Sequence, residues 1–371
     1  MRLGLSIIYA VMKLFPTKKN KVVFLSRQSN EITLDFKMTQ EELKKKKPEV
    51  EIVTICHRLE GEKSKGLSGL LVFAWSTFRS MYHLATSTVC VLDAYWPAVS
   101  ILHHKKSLTV IQMWHALGKI KQSGYQTIGK ESGRDVEIAS LMKMHQNYDY
   151  IIAGGKAWNP FYCKSFNVTE DKLLNYGLPR IDYLLETAKT NRKKVMEAYP
   201  ELKRRKIILY APTFRRNIEL HWESLIDEID MEKYVLVVKG HPNQKLSVQR
   251  EGVYECPEFK SAELLSSCDY LITDYSAIAI EGAVLNKKTY YFVYDYEEYR
   301  EKNGMNIDLF DTMPGCVFRD AGQLIRTLEK ENYNQEALDG YRARFLPEDL
   351  GKSTEKISKL IALNMNKQQR N

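Results

Sequence analysis

Residues 269–295, DYLITDYSAIAIEGAVLNKKTYYFVYD, constrain the fold more than any other stretch of the chain. Residues 270–272 are apolar and β-forming, 273–276 make a sharp turn, and 277–285 carry apolar side chains at helical spacing. Asn286-Lys287-Lys288 closes the helix, and residues 289–293 are β-branched and aromatic. The stretch reads as strand, turn, helix, strand. Ser276 is a suitable N-cap. The next three residues, Ala277-Ile278-Ala279, bring no acidic side chain to the free backbone N–H groups of that turn. Such a helix start binds anions, and in a parallel sheet it lies at the carboxyl edge, where ligands bind. An ordinary capped helix in a βαβ unit fits the same residues.

The rest of the chain repeats this alternation. Strands are expected at 21–26, 50–56, 88–93, 108–114 and 148–153, and again at 207–210, 234–238 and 253–256. Helices are expected at 67–85, 182–198 and 345–363. Strands alternating with helices of this length give parallel sheets covered on both faces. The long polar helical run ends at Pro200, which places the boundary of two Rossmann-like domains at 1–198 and 199–371. Two such domains of similar size suggest a pair facing each other across a cleft. A length of 371 residues suits two domains.

A net charge of +9 favours an anionic partner: a phosphate-rich substrate, an acidic lipid surface or nucleic acid. Six cysteines (Cys56, Cys90, Cys163, Cys256, Cys268, Cys316) are scattered without a CxxC pair and read as reduced, buried thiols. Residues 3–15, LGLSIIYAVMKLF, are apolar and followed by Lys18, Lys19 and Lys21. They are too short to span a bilayer. They fit a helix lying in an anionic membrane interface, or a first helix packed on the domain. The aromatics Phe73, Trp75, Phe78 and Tyr82 in the run 67–85 read as packing.

Four loops after expected strands carry reactive residues. Trp114-His115-Ala116 places a histidine at the ligand edge of the sheet, with a pKa suited to general-base work. Lys239-Gly240-His241-Pro242 combines two basic side chains with a glycine that admits close approach, which suits a diphosphate. Thr213-Phe214-Arg215-Arg216 offers a hydroxyl and two guanidiniums for phosphate. The turn at Ser276 is followed by Glu281, a carboxylate able to take two ribose hydroxyls. A capping or structural histidine and a surface arginine pair are the ordinary alternatives at any one of these loops.

Together the motifs resemble the CDP-glycerol glycerophosphotransferases of wall teichoic acid synthesis, a group that includes ribitol-phosphate transferases. The resemblance rests on Trp114-His115, Gly177-Leu178-Pro179-Arg180-Ile181-Asp182, Tyr210-Ala211-Pro212-Thr213-Phe214-Arg215, Lys239-Gly240-His241-Pro242, Ile272-Thr273-Asp274-Tyr275-Ser276, Tyr294-Asp295 and Pro314-Gly315, in that order. It implies a GT-B fold, a cytidine diphospho-alditol donor, a lipid-linked acceptor at the inner membrane face, and active-site roles for His115 and His241. The family's Trp-His-Gly is Trp114-His115-Ala116 here, and its paired serines are Ser276-Ala277, so one hydroxyl near the donor phosphate is missing.

The expected chemistry is attack of an acceptor hydroxyl on the alditol-bearing phosphorus, with CMP leaving. His115 and His241 are the expected catalytic residues, with His115 as base and His241 at the diphosphate. The expected substrate-binding set is Arg180, Thr213, Arg215, Lys239, Gly240, Thr273, Asp274, Ser276, Ala277 and Glu281. No metal and no cofactor are expected, since no paired carboxylates are placed to hold an ion. Glycerol phosphate is the first choice of transferred group. A CDP-ribitol transferase and a nucleotide-sugar glycosyltransferase of the same fold are the alternatives. A non-catalytic binder of anionic lipid or RNA has only the charge in its favour, and nucleic acid is not an expected partner. The protein is expected at the cytoplasmic face of the membrane, bound peripherally.

Overall fold

A computed structural model describes residues 2–58, 67–131, 133–213, 215, 223–240 and 250–366. Two parallel sheets organise it. The first contains β1 (Lys21–Ser26), β2 (Glu51–Cys56), β3 (Val89–Leu92), β4 (Thr109–Gln112), β5 (Tyr150–Ile152) and β6 (Leu173–Leu174), in the order β2-β1-β3-β4-β5-β6. The second contains β7 (Lys206–Tyr210), β8 (Tyr234–Val238), β9 (Val253–Tyr254), β10 (Tyr270–Thr273), β11 (Lys288–Phe292) and β12 (Val317–Phe318), in the order β12-β11-β10-β7-β8-β9. Every strand of β1, β8 and β10 is buried from end to end, as expected of central strands with helices on both faces. The edge strands β2 and β9 are only half-buried.

In each sheet the strand order reverses once, beside β1 and beside β7. The reversal leaves a crevice at the carboxyl ends, between β1 and β3 in one sheet and between β7 and β10 in the other. Both crevices are closed at the base by an aspartate from the second strand of the pair. Asp93, just past β3, accepts from Ser26 Oγ at 2.5 Å and Arg27 N at 3.2 Å. Asp274, just past β10, accepts from Thr213 N at 2.9 and 3.0 Å. Ligands of open α/β sheets bind at such switch points.

The chain divides into two compact units: Met1–Ala116, Ser123–Asp182 and Asp349–Asn371 form the first, and Leu117–Gln122 with Tyr183–Glu348 form the second. The expected boundary at 198/199 differs from this in three places, each with a physical reason. The helix Pro179–Ala198 is continuous through the division, and Asp182 in its first turn accepts from Ser353 N at 3.1 Å and Thr354 N at 2.7 Å. That carboxylate occupies the free amides that open the helix Ser353–Asn366, a favourable place for an anion, and returns the end of the chain to the first unit. In the second unit, Asn306 Nδ2 donates to Lys119 O at 2.8 Å and Lys121 O at 3.1 Å, and Asn306 N donates to Ile120 O at 2.9 Å. The final helix, expected within 345–363, spans Ser353–Asn366, and a separate helix, Gln335–Phe345, precedes it. The fourth strand ends at Gln112, two residues before the expected limit, which leaves Met113 and Trp114 to form a turn.

All six cysteines are unpaired, with Cys56 and Cys163 half-buried and the rest buried. The helix Arg2–Met12 buries Tyr9 and Met12 and turns its other face outward, with Leu3 76% and Val11 58% exposed. Tyr9 Oη donates to His104 Nδ1 at 2.7 Å, because His104 Nε2 bonds the Val99 carbonyl at 2.7 Å and must carry the ring proton. Burial pushes the His104 pKa down to about 4, so the ring stays neutral and able to accept. Beside this helix lies Leu67–Thr86, where Phe15 meets Tyr82 edge-on at 5.7 Å. Its aromatics do not serve as core: Trp75 is 66% exposed, and Phe78 and Tyr82 are exposed too. The Phe73 side chain lies outside the described residues. Among the described residues no helix is long and apolar enough to cross a membrane.

Candidate active site

The turn after β4 presents His115. Gln112, the last residue of β4, is fully buried, and its Oε1 accepts from Trp114 N at 2.9 Å. Trp114 has φ +62°, the left-handed region that bulky L-residues seldom adopt. The half-buried imidazole that follows stacks near the Trp114 ring, at a centroid distance of 4.2 Å. His115 Nδ1 lies 2.9 Å from the Asp93 carbonyl oxygen. A carbonyl only accepts, so Nδ1 carries the proton and Nε2 holds the lone pair of the neutral ring. That is the arrangement a general base needs.

Asp93 beneath it is buried, and loss of solvation pushes its pKa up to about 6 against the Ser26 and Arg27 hydrogen bonds. Arg180 is in the same unit but is already engaged. Its backbone N donates to Asp35 Oδ1 at 2.8 Å and its Nε to Asp35 Oδ2 at 2.9 Å, and Nη2 bonds the same carboxylate. Asp35 is buried in the first turn of the helix Leu34–Lys46. The structure gives Arg180 a buried carboxylate partner, Asp35, with the arginine side chain still partly exposed.

In the second unit the largest departure is Arg215. Its guanidinium has no solvent exposure. Nε and Nη2 bond Asp295 at 2.7 and 3.0 Å, and Nη1 bonds Asp274 Oδ2 at 2.6 Å and Thr213 O at 3.0 Å. Burial alone would lower its pKa, but the two carboxylates outweigh that and raise it. Tyr275 Oη donates to Asp295 Oδ1 at 3.0 Å, and its ring stacks on Tyr299 at 3.9 Å. One guanidinium therefore ties together the turns after β7, β10 and β11. The expected phosphate contact by Arg215 is corrected: its guanidinium is wholly buried between the carboxylates of Asp274 and Asp295. Asp274 and Thr273 are held in the same way. Thr273 Oγ1 donates to Ala211 O at 2.7 Å, so its hydroxyl faces the sheet and not a ligand.

The remaining expected donor contacts separate by exposure. Thr213 and Glu281 are buried, and Thr213 Oγ1 makes no hydrogen bond among the described residues. Ser276, Ala277, Lys239 and Gly240 are half-buried and accessible. Lys239 Nζ donates to Phe259 O at 2.6 Å, and burial lowers its pKa. The helix after the turn spans Ile278–Val284 with Ala277 in the N-cap position. Ser276 Oγ stands 3.5 Å from Ile278 N, too far for a firm cap. The expected N-cap role of Ser276 is thereby corrected. Phe214, Arg216, His241 and Pro242 lie outside the described residues.

Sequence reasoning gave no role to four groups. Asp35 sits in a helix without any motif, and Gln112 was read as strand interior. Asp295 stood in the Tyr294-Asp295 motif, but nothing in the sequence shows that its partner is Arg215. Lys121 follows the His115 loop in the chain. It belongs to the second unit, where burial lowers its pKa and Asp274 acts against that.

Residues 7–363 match the sequence profile described as CDP-glycerol:poly(glycerophosphate) glycerophosphotransferase. The chain belongs to this family. Its members are enzymes, and the chain is a transferase of this kind. A teichoic acid poly(ribitol-phosphate) polymerase of Bacillus spizizenii is 31% identical over 94% of this chain, which spans 57% of that protein's length. A teichoic acid glycerol-phosphate primase of Bacillus subtilis is 32% identical over 69% of each chain. A solved structure of the wall teichoic acid polymerase TagF superposes with a TM-score of 0.77 at 20% identity, covering 99% of this chain and 95% of that one. The expected α/β, GT-B-like class with two Rossmann-like domains is the fold observed. In this glycerophosphotransferase-family chain, the matched region includes both sheets, every strand-end turn described above and all but the last three residues of the helix that caps on Asp182.

Proposed function

We propose that the chain transfers an alditol phosphate from a CDP-alditol to a hydroxyl of a lipid-linked, teichoic-acid-type acceptor and releases CMP. Family membership across residues 7–363 is the observation that carries this reading. Glycerol phosphate is the first assignment, following the family, and ribitol phosphate is the alternative, following the relative from Bacillus spizizenii. The acceptor oxygen forms a bond to the alditol-bearing phosphorus as the bridging P–O bond to CMP breaks. His115 Nε2 takes the hydroxyl proton. Lys239, Gly240, His241 and the amides at 276–278 hold the diphosphate, with Thr213 and Glu281 behind them. Arg215 contributes by fixing the turns, so that these donors need no reorganisation in the transition state.

A panel of CDP-glycerol, CDP-ribitol and sugar nucleotides, each with a lipid-linked acceptor, tests the reading. CMP formed only with a CDP-alditol supports it. Release of a nucleoside diphosphate from a sugar nucleotide, without CMP from either CDP-alditol, replaces it with glycosyl transfer.

The acceptor's lipid places the enzyme at a membrane, and the outward faces of Arg2–Met12 and Leu67–Thr86 suit one. Leu3, Ile7, Val11, Leu71, Val72 and Trp75 are exposed, and Lys13, Lys18 and Lys19 follow closely. Apolar insertion and attraction to anionic lipid act together in such interfacial helices. Replacing Leu3, Ile7 and Val11 by glutamate is expected to move the protein from sedimenting anionic vesicles to the supernatant. Because these side chains are exposed, activity on a short soluble acceptor is retained. Unchanged sedimentation contradicts the membrane role.

A further inference from the structure

We propose that Gln112 is the positioning residue for the catalytic base, holding His115 as the Nδ1–H tautomer against the Asp93 carbonyl so that Nε2 receives the acceptor proton. The inference rests on the assignment of His115 as base, and it goes beyond it by naming what sets the tautomer.

Three observations converge on this turn. First, Gln112 uses both ends of its amide: Nε2 donates to Ala94 O at 3.2 Å and Oε1 accepts from Trp114 N at 2.9 Å. Its partners fix which end is which, since a carbonyl only accepts and a backbone N–H only donates. One buried side chain thus joins the end of β3 to the end of β4. The Tyr148 hydroxyl is a further neighbour of the same amide and bonds His145 Nδ1 at 3.0 Å. Second, Trp114 is left-handed at φ +62° without being glycine. Strain of this kind persists only where the surroundings over-determine it, and it gathers at functional sites. The surroundings here are the Gln112 bond to its N–H and the packing of its ring on Phe166 at 5.1 Å and His145 at 6.0 Å. The reversal brings the next residue, His115, back over the end of β3. Third, the carbonyl it meets belongs to Asp93, whose peptide is held by Ser26 Oγ and Arg27 N through its side chain.

The device differs from a carboxylate that orients a histidine directly. The contact to Nδ1 is main-chain, so the Asp93 side chain matters less to the tautomer than Gln112 does. Losing Gln112 frees Trp114 to leave the left-handed region. The imidazole then loses its carbonyl, and both tautomers are populated. Only the Nδ1–H form places the lone pair on Nε2.

The test uses the full chain labelled with 15N in its histidine rings, where a protonated ring nitrogen and a bare one have well-separated chemical shifts. In the unaltered protein above the pKa of the ring, His115 is expected as Nδ1–H. Gln112→Leu is expected to give a mixture of tautomers and to lower kcat by about ten- to a hundredfold, part of the 10²–10⁴-fold a base is worth. CDP-alditol affinity by calorimetry stays as it was. Asp93→Asn, which keeps the main-chain carbonyl, should retain the tautomer. If Gln112→Leu does not fold, Gln112→Met is used; it keeps the length of the side chain but gives Trp114 N no amide oxygen, and the same shift is expected. The proposal is overturned if His115 is Nε2–H in the unaltered protein. It is also overturned if the variant keeps both tautomer and kcat, or if kcat and donor affinity fall together. Full activity of His115→Ala defeats the base assignment instead, and the ring spectra separate that failure from this one.

Discussion

His115→Ala is expected to lower turnover by about 10²–10⁴-fold, the usual worth of general-base assistance, while affinity for the proposed CDP-alditol stays nearly unchanged. His115 belongs to the first unit, and the residues assigned to the donor belong to the second. Its Nδ1 is occupied by the Asp93 carbonyl at 2.9 Å, which leaves the lone pair of the neutral ring on Nε2. His241→Ala is expected to lower turnover and also to weaken donor binding, because it removes contacts to bound phosphate as well as to the transition state. Donor affinity is measured by calorimetry and not inferred from KM. Loss of donor binding in His115→Ala alone reverses the two roles. Full activity of both variants makes them structural histidines and defeats the mechanism.

Arg215→Met gives the largest loss of stability, about 3–5 kcal/mol, the cost of breaking a buried ion pair from one side. Two buried carboxylates, Asp274 and Asp295, then lose their common cation. The turns after β7, β10 and β11 come apart together, and the donor site goes with them. Asp295→Asn provides a milder variant: it removes one charge, leaves Arg215 paired with Asp274, and should be destabilised less while still binding donor. A chemical-denaturation series on both variants, with calorimetry on the folded protein, checks this. If Arg215→Met keeps full stability and loses donor binding, Arg215 contacts phosphate and the structural assignment is wrong.

The fold class was legible in the sequence because β-branched runs, helical spacing and turn residues alternate from residue 21 to residue 293; the two-residue strands Leu173–Leu174 and Val317–Phe318 are too short to leave such a pattern. The unit boundary was not. Pro200 marks the end of a helix and not the end of a unit, and the sequence carries no sign that Asp182 caps a helix beginning at Ser353. The site shows the same division. The position of His115 in the turn after β4 was legible because Trp114-His115 follows an apolar β-forming run, although a capping or structural histidine fits the same residues. Arg215 was misread because an arginine after a strand looks the same whether it faces a phosphate or two aspartates; its partners lie 59 and 80 residues away in the chain. Gln112 was passed over for a related reason. An amide at a strand end is unremarked until its two hydrogen bonds are seen.

Mass spectrometry of the products of a single turnover tests the central claim most directly. Attack on the alditol-bearing phosphorus predicts CMP and an acceptor heavier by one alditol phosphate, in equal amounts. An acceptor carrying a cytidylyl group, with free alditol phosphate released, places the attack on the other phosphorus and contradicts the account, as does any product set in which CDP leaves.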